Sequence, residues 1–192
     1  SSASMERDPA KCILCGRCVR VCHEVQKVGG IDFSKVGFSS IVTSPYNKGL
    51  NVSDCILCGQ CILVCPTAAL REKSAVKEVA NAIYNRKKYC IVQVAPAVRA
   101  SLGEEYNMPL GTDVTGLLVT GLRRLGFKKV FDTNFAADLT IMEEATELIN
   151  RVQNGGSLPM FTSCCPGWVK YVEMNRPEVL EHVSSCKSPH EM

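Results

Sequence analysis

At 192 residues and a net charge of +3, the chain has room for one or two domains with apolar cores of their own. Its basic clusters, Arg86-Lys87-Lys88, Arg123-Arg124 and Lys128-Lys129, are short and lack interleaved aromatics, so they read as solvated faces and argue against nucleic acid as a partner. No apolar run approaches the roughly 18–20 residues of a membrane span; no signal peptide opens the chain, which starts at Ser1 rather than Met and so reads as cut from something longer.

Twelve cysteines are far above ordinary usage. Disulfide frameworks concentrate in small secreted domains that lack a core. This chain has periodic apolar segments and no export signal, which favours a reducing, cytoplasmic compartment and metal ligation by thiolate.

In chain order, the first cysteine block is Cys12-Ile13-Leu14-Cys15-Gly16-Arg17-Cys18-Val19-Arg20-Val21-Cys22, and the second is Cys55-Ile56-Leu57-Cys58-Gly59-Gln60-Cys61-Ile62-Leu63-Val64-Cys65-Pro66. Both follow C-x2-C-x2-C-x3-C, an internal duplication. Cysteines two residues apart let one loop wrap three corners of a 4Fe–4S cube. The fourth is expected to start a helix that leads to the other cluster. One cluster then takes Cys12, Cys15, Cys18 and Cys65, and the other takes Cys55, Cys58, Cys61 and Cys22. Pro66 stands where the bacterial pattern has proline, whereas His23 stands there after Cys22. Zinc is the competing reading, since tetrahedral zinc also uses C-x2-C pairs, but it leaves the third and fourth cysteines of each block unexplained. Gly16 and Gly59 would let the backbone approach the clusters. The blocks resemble the bacterial two-cluster ferredoxin.

Residues 23–54 read as hairpin strands and loop, with Ile31-Asp32-Phe33 and Ile41-Val42-Thr43 as the alternating runs. A helical period follows from Ser74 to Arg86, with Val76, Val79, Ala80 and Ile83 on one face. Tyr89 to Val94 is a buried-strand candidate leading to Ala95-Pro96-Ala97. A helix from about Asp113 to Leu125 carries the stripe Val114, Leu117, Leu118, Leu122 and Leu125 and stops at Gly126; Gly116 and Gly121 inside it suggest close packing. Lys128 to Asp132 is a short strand. Thr140-x-x-Glu143 reads as a capping box opening the next helix, which Asn154-Gly155-Gly156 ends. Its apolar face is Ile141, Ala145, Leu148, Ile149 and Val152. Glu144, Glu147 and Arg151 form a neighbouring stripe, with Glu147 and Arg151 at the favourable i,i+4 spacing; taken alone, this is an ordinary solvated face. Leu158 to Thr162 is a third strand candidate. Strand and helix alternate here as in a parallel α/β layer, where ligands collect beyond the carboxyl ends of the strands. That third run delivers the turn Thr162-Ser163-Cys164-Cys165-Pro166-Gly167-Trp168. Adjacent cysteines point in different directions, so one can bind metal while the other stays a free thiol; small buried thiols at a strand end are the plainer alternative.

A two-cluster ferredoxin module followed by T-S-C-C-P-G-W resembles the iron-only (FeFe) hydrogenases. Val92-Gln93-Val94-Ala95-Pro96-Ala97-Val98-Arg99, Ile141 to Thr146, Phe161 to Trp168 and Ser184-Ser185-Cys186-Lys187-Ser188-Pro189 are similar to stretches of that family's catalytic domain, so the resemblance runs from Cys12 to Met192. It implies an α+β protein: a two-4Fe–4S ferredoxin-like domain over residues 1–73, then, over 74–192, the first part of an α/β catalytic domain with parallel strands. The implied activity is reversible reduction of protons to dihydrogen at an H-cluster, a 4Fe–4S cube joined through a cysteine sulfur to a two-iron subsite. By this resemblance Cys165 is the cube's first protein ligand and Cys164 the free thiol that exchanges a proton with the subsite. Glu144, Ser184, Glu147 and Arg151 carry the proton route, with burial raising the carboxyl pKa values so that they can take up and release protons. Ala95, Pro96 and Ala97 wall the subsite. Pro189 and His190 fall near its cyanide-binding shell, although many relatives have Gln at the His190 position. Cys90 and Cys186 are packed thiols. The family's later ligands, an M-P-C-x-x-K stretch and a pair of cysteines among glycines, do not occur before Met192, so these residues alone cannot complete an H-cluster. Implied partners are ferredoxin or another electron carrier, and a further subunit or chain that supplies the rest of the catalytic domain. Two rivals remain: an iron–sulfur electron-transfer module without hydrogen chemistry, and a hydrogenase-like sensor or assembly protein.

Overall fold

The computed structural model of the chain describes residues 2–85 and 87–192. Arg86, which belongs to one basic cluster and marks the expected end of one helix, lies outside the described residues. The chain mixes helices and short strands in an α+β arrangement and divides into two compact units, Ser1–Ser74 with Pro166–Leu180, and Ala75–Cys165 with Glu181–Met192.

The first unit contains β1 (Met5–Arg7), α1 (Arg17–Arg20), β2 (Asp32–Ser34), β3 (Ile41–Thr43), α2 (Gln60–Leu63) and β4 (Leu70–Glu72). The strands β1 and β4 pair antiparallel, as do β2 and β3. The second pair is the hairpin expected from the alternating runs. The duplication in sequence is also a duplication of backbone. Leu14 and Leu57 are both left-handed, at φ 56° and 59°, and two residues on Gly16 and Gly59 are left-handed at φ 72° and 75°. Leucine disfavours this region, so the same strain adopted twice marks a loop shape that the site requires. Each glycine then opens a four-residue helix.

The fourth cysteines depart from expectation. Neither starts a helix: Cys22 lies in a π-helical turn, Val21–Val25, that continues α1, and Cys65 falls after α2. It is the third cysteine, Cys18 or Cys61, that sits inside each short helix. Met5, Val19, Ile31, Val42, Leu50 and Leu70 form the core, and cysteines of both blocks pack against it.

The second unit contains α3 (Val76–Tyr84), β5 (Ile91–Val94), α4 (Pro96–Glu105), α5 (Thr115–Leu125), β6 (Lys129–Asp132) and α6 (Thr133–Asn154). The strands β5 and β6 are parallel, in register from Ile91 opposite Lys129 to Val94 opposite Asp132. Helix α4, in a stretch for which no element was expected, begins with Pro96 at its first position, where a missing N–H costs nothing. Helix α5 ends at Gly126, left-handed at φ 115°. Helix α6 is longer than expected. Its N-cap is Asp132, whose carboxylate accepts the Asn134 N–H at 2.9 Å, so Thr140 is no cap. Thr140 lies buried mid-helix and returns its hydroxyl to the Ala136 carbonyl at 3.1 Å.

Three further expectations fail in this unit. Residues 158–162 form no strand; Phe161 makes a single parallel bridge to Val183. Strand β5 is only partly buried, with Ile91 exposed. A Cβ at Gly116 or Gly121 would meet nothing within 4 Å, so neither glycine mediates close packing. The apolar stripe of α6 is also open, with Ile141 63% and Val152 61% exposed.

The last helix, α7 (Pro166–Asn175), starts immediately after Cys165 and groups with the first unit. No helix among the described residues is long and apolar enough to cross a membrane.

Gly121 inside α5 and Gly126 just beyond its end should respond oppositely to alanine. Gly121→Ala should raise the urea midpoint by the equivalent of ~0.5–1 kcal/mol, the ordinary helix gain into open space. Gly126→Ala should lower it by at least about 1 kcal/mol, because a left-handed residue gains a Cβ 2.7 Å from Ile83 Cγ2. Paired urea unfolding curves check both signs.

Candidate functional site

The eight repeat cysteines line two cavities of the first unit. Cys12, Cys15, Cys18 and Cys65 line one of about 460 Å³, together with Arg7 and Leu14 among others. Cys22, Cys55, Cys58 and Cys61 line the other, among the apolar side chains of Met5, Ile31, Leu50 and Ile56. Each cavity therefore draws three thiols from one block and the fourth from the other. Among the described residues no three His, Cys, Asp or Glu side chains converge as they would around a single metal ion. The thiols of the first block and Cys65 are spread round a larger space, whereas those of the second block and Cys22 enclose a tight one of about 20 Å³.

The electrostatics follow the same grouping. Burial, and after it the neighbouring Cys55, Cys58, Cys18 and Cys22, together push the Cys61 thiol up to about 12. Burial also raises Cys55, with Cys22 and Cys58 adding to it, and raises Cys18, with Cys12 and Cys15 adding. Thiols this crowded cannot all ionise without cations among them, which is the situation that a metal–sulfur group resolves. Cys65 goes the other way. Burial opposes its ionisation, but the N–H groups of Leu70, Thr67 and Ala69 and the Thr67 hydroxyl outweigh it and lower the pKa. Backbone donors reach other sulfurs too: Gly30 N lies 3.2 Å from Cys22 Sγ and Leu57 N 3.4 Å from Cys55 Sγ. Gly30 must be glycine, since a Cβ there would lie 2.9 Å from Cys55 Cα. His23, in the place of the expected proline, turns its ring to the Ile31 carbonyl at 3.2 Å.

In the second unit, α6 and the segment 181–186 assemble a charged network. Arg151 Nη2 donates to Glu147 Oε1 at 2.6 Å, and Ser184 Oγ donates to Glu147 Oε2 at 2.8 Å. The Ser185 N–H reaches the same Oε2 at 3.1 Å. Arg151 is further tied to the carbonyls of Val183, Glu181 and Ser157. With 20% and 16% of their side chains exposed, Glu147 and Arg151 are not a solvated face. Desolvation works to raise the Glu147 pKa, but the Ser184 hydroxyl, Arg151 and the Ser185 N–H prevail and hold the carboxyl below its ordinary value. Burial was expected to raise it; here the donors win.

Glu144, one turn earlier on α6, presents a buried Oε1 with no hydrogen-bond partner among the described residues. A buried carboxylate oxygen left without a donor is costly and marks a position awaiting a partner. Cys186 lies alongside. Burial raises its thiol, and the charges of Glu144, Glu143 and Glu147 raise it further.

Cys164 and Cys165 are both exposed, and among the described residues no hydrogen bond links either to Glu144 or to the Glu147 network. Ser163 Oγ anchors the turn by donating to the Cys186 carbonyl at 2.6 Å. At the end of β5, Gln93 Nε2 donates to the His190 carbonyl at 2.8 Å, which draws the Pro189-His190 turn to the strand that leads into Ala95, Pro96 and Ala97. The site as read from sequence omitted Ser185, Gln93 and Ser163. Ser185 and Ser163 adjoin chosen residues, but contacts through backbone atoms leave no side-chain signature. Gln93 stood inside a quoted stretch as a strand residue without a role.

Residues 88–192 match the family described as the iron only hydrogenase large subunit, C-terminal domain. The chain belongs to this family. Residues 11–69 match the 4Fe-4S dicluster domain. Over its full length the chain is 52% identical to iron hydrogenase 1 of Clostridium pasteurianum and 48% identical to the NADP-reducing hydrogenase subunit HndD of Solidesulfovibrio fructosivorans, of which it covers 33% and 34%. It thus spans about a third of the length of these curated relatives. Among solved structures it is similar to a variant of the apo [FeFe]-hydrogenase HydA1 from Chlamydomonas reinhardtii, with a TM-score of 0.57 and 46% identity, over 61% of this chain and 31% of that one.

The Glu147 network carries an acid signature. A depressed carboxyl contributes stability that is fully present above its ordinary value of 4.5 and is lost as pH falls through the lower folded value. Ser184→Ala should move the Glu147 carboxyl midpoint up toward 4.5, read by carboxyl-carbon NMR titration. Glu147→Gln should remove this group's share of the acid slope of stability.

Proposed function

We propose that this chain is the electron-relay module and the first part of the catalytic domain of a ferredoxin-type FeFe hydrogenase. The observation that carries the reading is the pair of cavities, each lined by three thiols of one block and one of the other. That donor set suits two 4Fe–4S clusters, the first held by Cys12, Cys15, Cys18 and Cys65 and the second by Cys55, Cys58, Cys61 and Cys22. In this reading residues 1–73 are the two-cluster ferredoxin-like domain and residues 74–192 the first part of an α/β catalytic domain; α7, which packs with the first unit, then belongs by sequence to the catalytic domain.

When bound, the H-cluster supplies the metal centre at which two protons and two electrons interconvert with dihydrogen. The chain's own residues bind, position and deliver. Cys165 offers a thiolate to the cube. Cys164, free and exposed, holds a proton at Sγ for exchange with the two-iron subsite. Glu144 takes it up at a carboxylate whose Oε1 has no other partner. The network of Ser184, Glu147 and Arg151 continues the route, and Arg151 keeps Glu147 ionised and oriented between transfers. With its pKa lowered, Glu147 acts as an acceptor that passes a proton on and does not store it. Ala95, Pro96 and Ala97, with Pro189 and His190 drawn to the same end of β5, form a wall for the subsite.

The electrons come from ferredoxin or another electron carrier in a reducing, cytoplasmic setting. The remaining cube ligands belong to the part of the catalytic domain that the curated relatives have beyond the third matched here. The open apolar stripe of α6 supports this, because Ile141, Met142, Ile149 and Val152 form a face that further chain would bury.

The test uses the complete hydrogenase, with this stretch in its full polypeptide. Infrared bands of bound CO and cyanide should be present, and Cys164→Ala should keep the iron content and those bands while losing about 10²-fold or more of turnover. Full activity in that variant would rule out the proton-donor role of Cys164, and absence of the bands would rule out the H-cluster.

A further inference from the structure

One cation of the first unit is explained neither by the cysteine spacing nor by the proton route. Lys170, in the middle of α7, places Nζ 2.6 Å from the carbonyl oxygen of Cys55. The side chain is half-buried, and among the described residues no carboxylate is paired with it. An ammonium group withdrawn from water without an anionic partner is an expensive way to hold a loop, since a neutral donor would satisfy one carbonyl at less cost. The expense is offset if the anion is the metal–sulfur group behind the carbonyl. Four thiolates give a 4Fe–4S site net negative charge, and reduction adds one more unit. A fixed positive charge on the same peptide favours the reduced form, and the apolar wall of this cavity, with Met5, Ile31, Leu50 and Ile56, limits screening.

The other cavity has a cation of its own. Arg7 stands in its wall, with its guanidinium on the Val42 carbonyl and on Asn47 Oδ1. The two sites are thus served by separate cations from outside the cysteine blocks, and a change at Lys170 should be felt at one of them.

We infer that Lys170 is a positioning residue that raises the reduction potential of the cluster held by Cys22, Cys55, Cys58 and Cys61, through its charge on the Cys55 peptide. The inference rests on the two-cluster reading given above, and the experiment separates the two. The full chain, purified anaerobically with its clusters, is titrated electrochemically and followed by EPR as wild type, Lys170→Met and Lys170→Arg. Iron and acid-labile sulfide are measured on each sample, and Cys58→Ser identifies which signal belongs to the second cluster. Lys170→Met should shift that cluster's midpoint to a more negative potential and leave the other in place, while Lys170→Arg should stay near wild type. An unmoved midpoint in Lys170→Met with both clusters present overturns the inference, as does an equal shift of both midpoints. Loss of the cluster in Lys170→Met also overturns it if Lys170→Gln, which keeps a donor without the charge, loads fully and titrates as wild type, since the lysine is then only an anchor. Wild-type protein without two 4Fe–4S signals overturns the underlying reading.

Discussion

The first unit depends on an exchange of thiols between its two halves. Cys65 stands with the first block's three thiols and Cys22 with the second's, so neither half can close its site alone. The apolar core between them is small, six residues from Met5 to Leu70, with cysteines of both blocks packed on it. A unit of this size with strands of three residues has little core to hold it. On the proposed reading, metal ligation contributes to folding as well as to electron transfer. The thiol electrostatics point the same way. Burial and mutual repulsion make the cation-free thiolate state of Cys61 unfavourable, and the same crowding becomes favourable once iron is present.

The second unit is organised round a different interaction, the Glu147 carboxylate held by Arg151, Ser184 and Ser185. The network ties the long α6 to the segment around Val183, and it fixes the ionisation of one carboxylate while Glu144, three residues earlier, keeps an oxygen without a partner. The proposed relay would use this asymmetry, one carboxylate held by donors and its neighbour with an oxygen open to a partner. Yet the unit buries few apolar side chains and leaves the α6 stripe open. The polar network is closed while the apolar face beside it stays open, which fits a catalytic domain of which this chain carries a part.

The cysteine sets were legible because metal chemistry imposes fixed spacings, and so was the Glu147–Arg151 pair, which needs only helical periodicity. The hairpin of β2 and β3 and the stop at Gly126 followed from turn chemistry. What failed was decided by contacts at a distance. Thr140 and Glu143 have the form of a capping box, but Asp132 eight residues earlier is the better N-cap and the helix runs through. Residues 158–162 are apolar enough for a strand but find one bridge partner, Val183, and no sheet edge. Gly116 and Gly121 imply close packing only if a neighbour is there to pack. Lys170 was invisible because its partner is a backbone carbonyl 115 residues away.

The most direct measurement is the metal and sulfide content of the anaerobically purified chain, read with the EPR spectrum of its reduced form. Two interleaved cubes require about eight iron and eight acid-labile sulfide per chain and two reducible 4Fe–4S signals. Zinc without sulfide, or a single cluster that survives in Cys22→Ser and in Cys65→Ser alike, would contradict ligation shared between the two blocks.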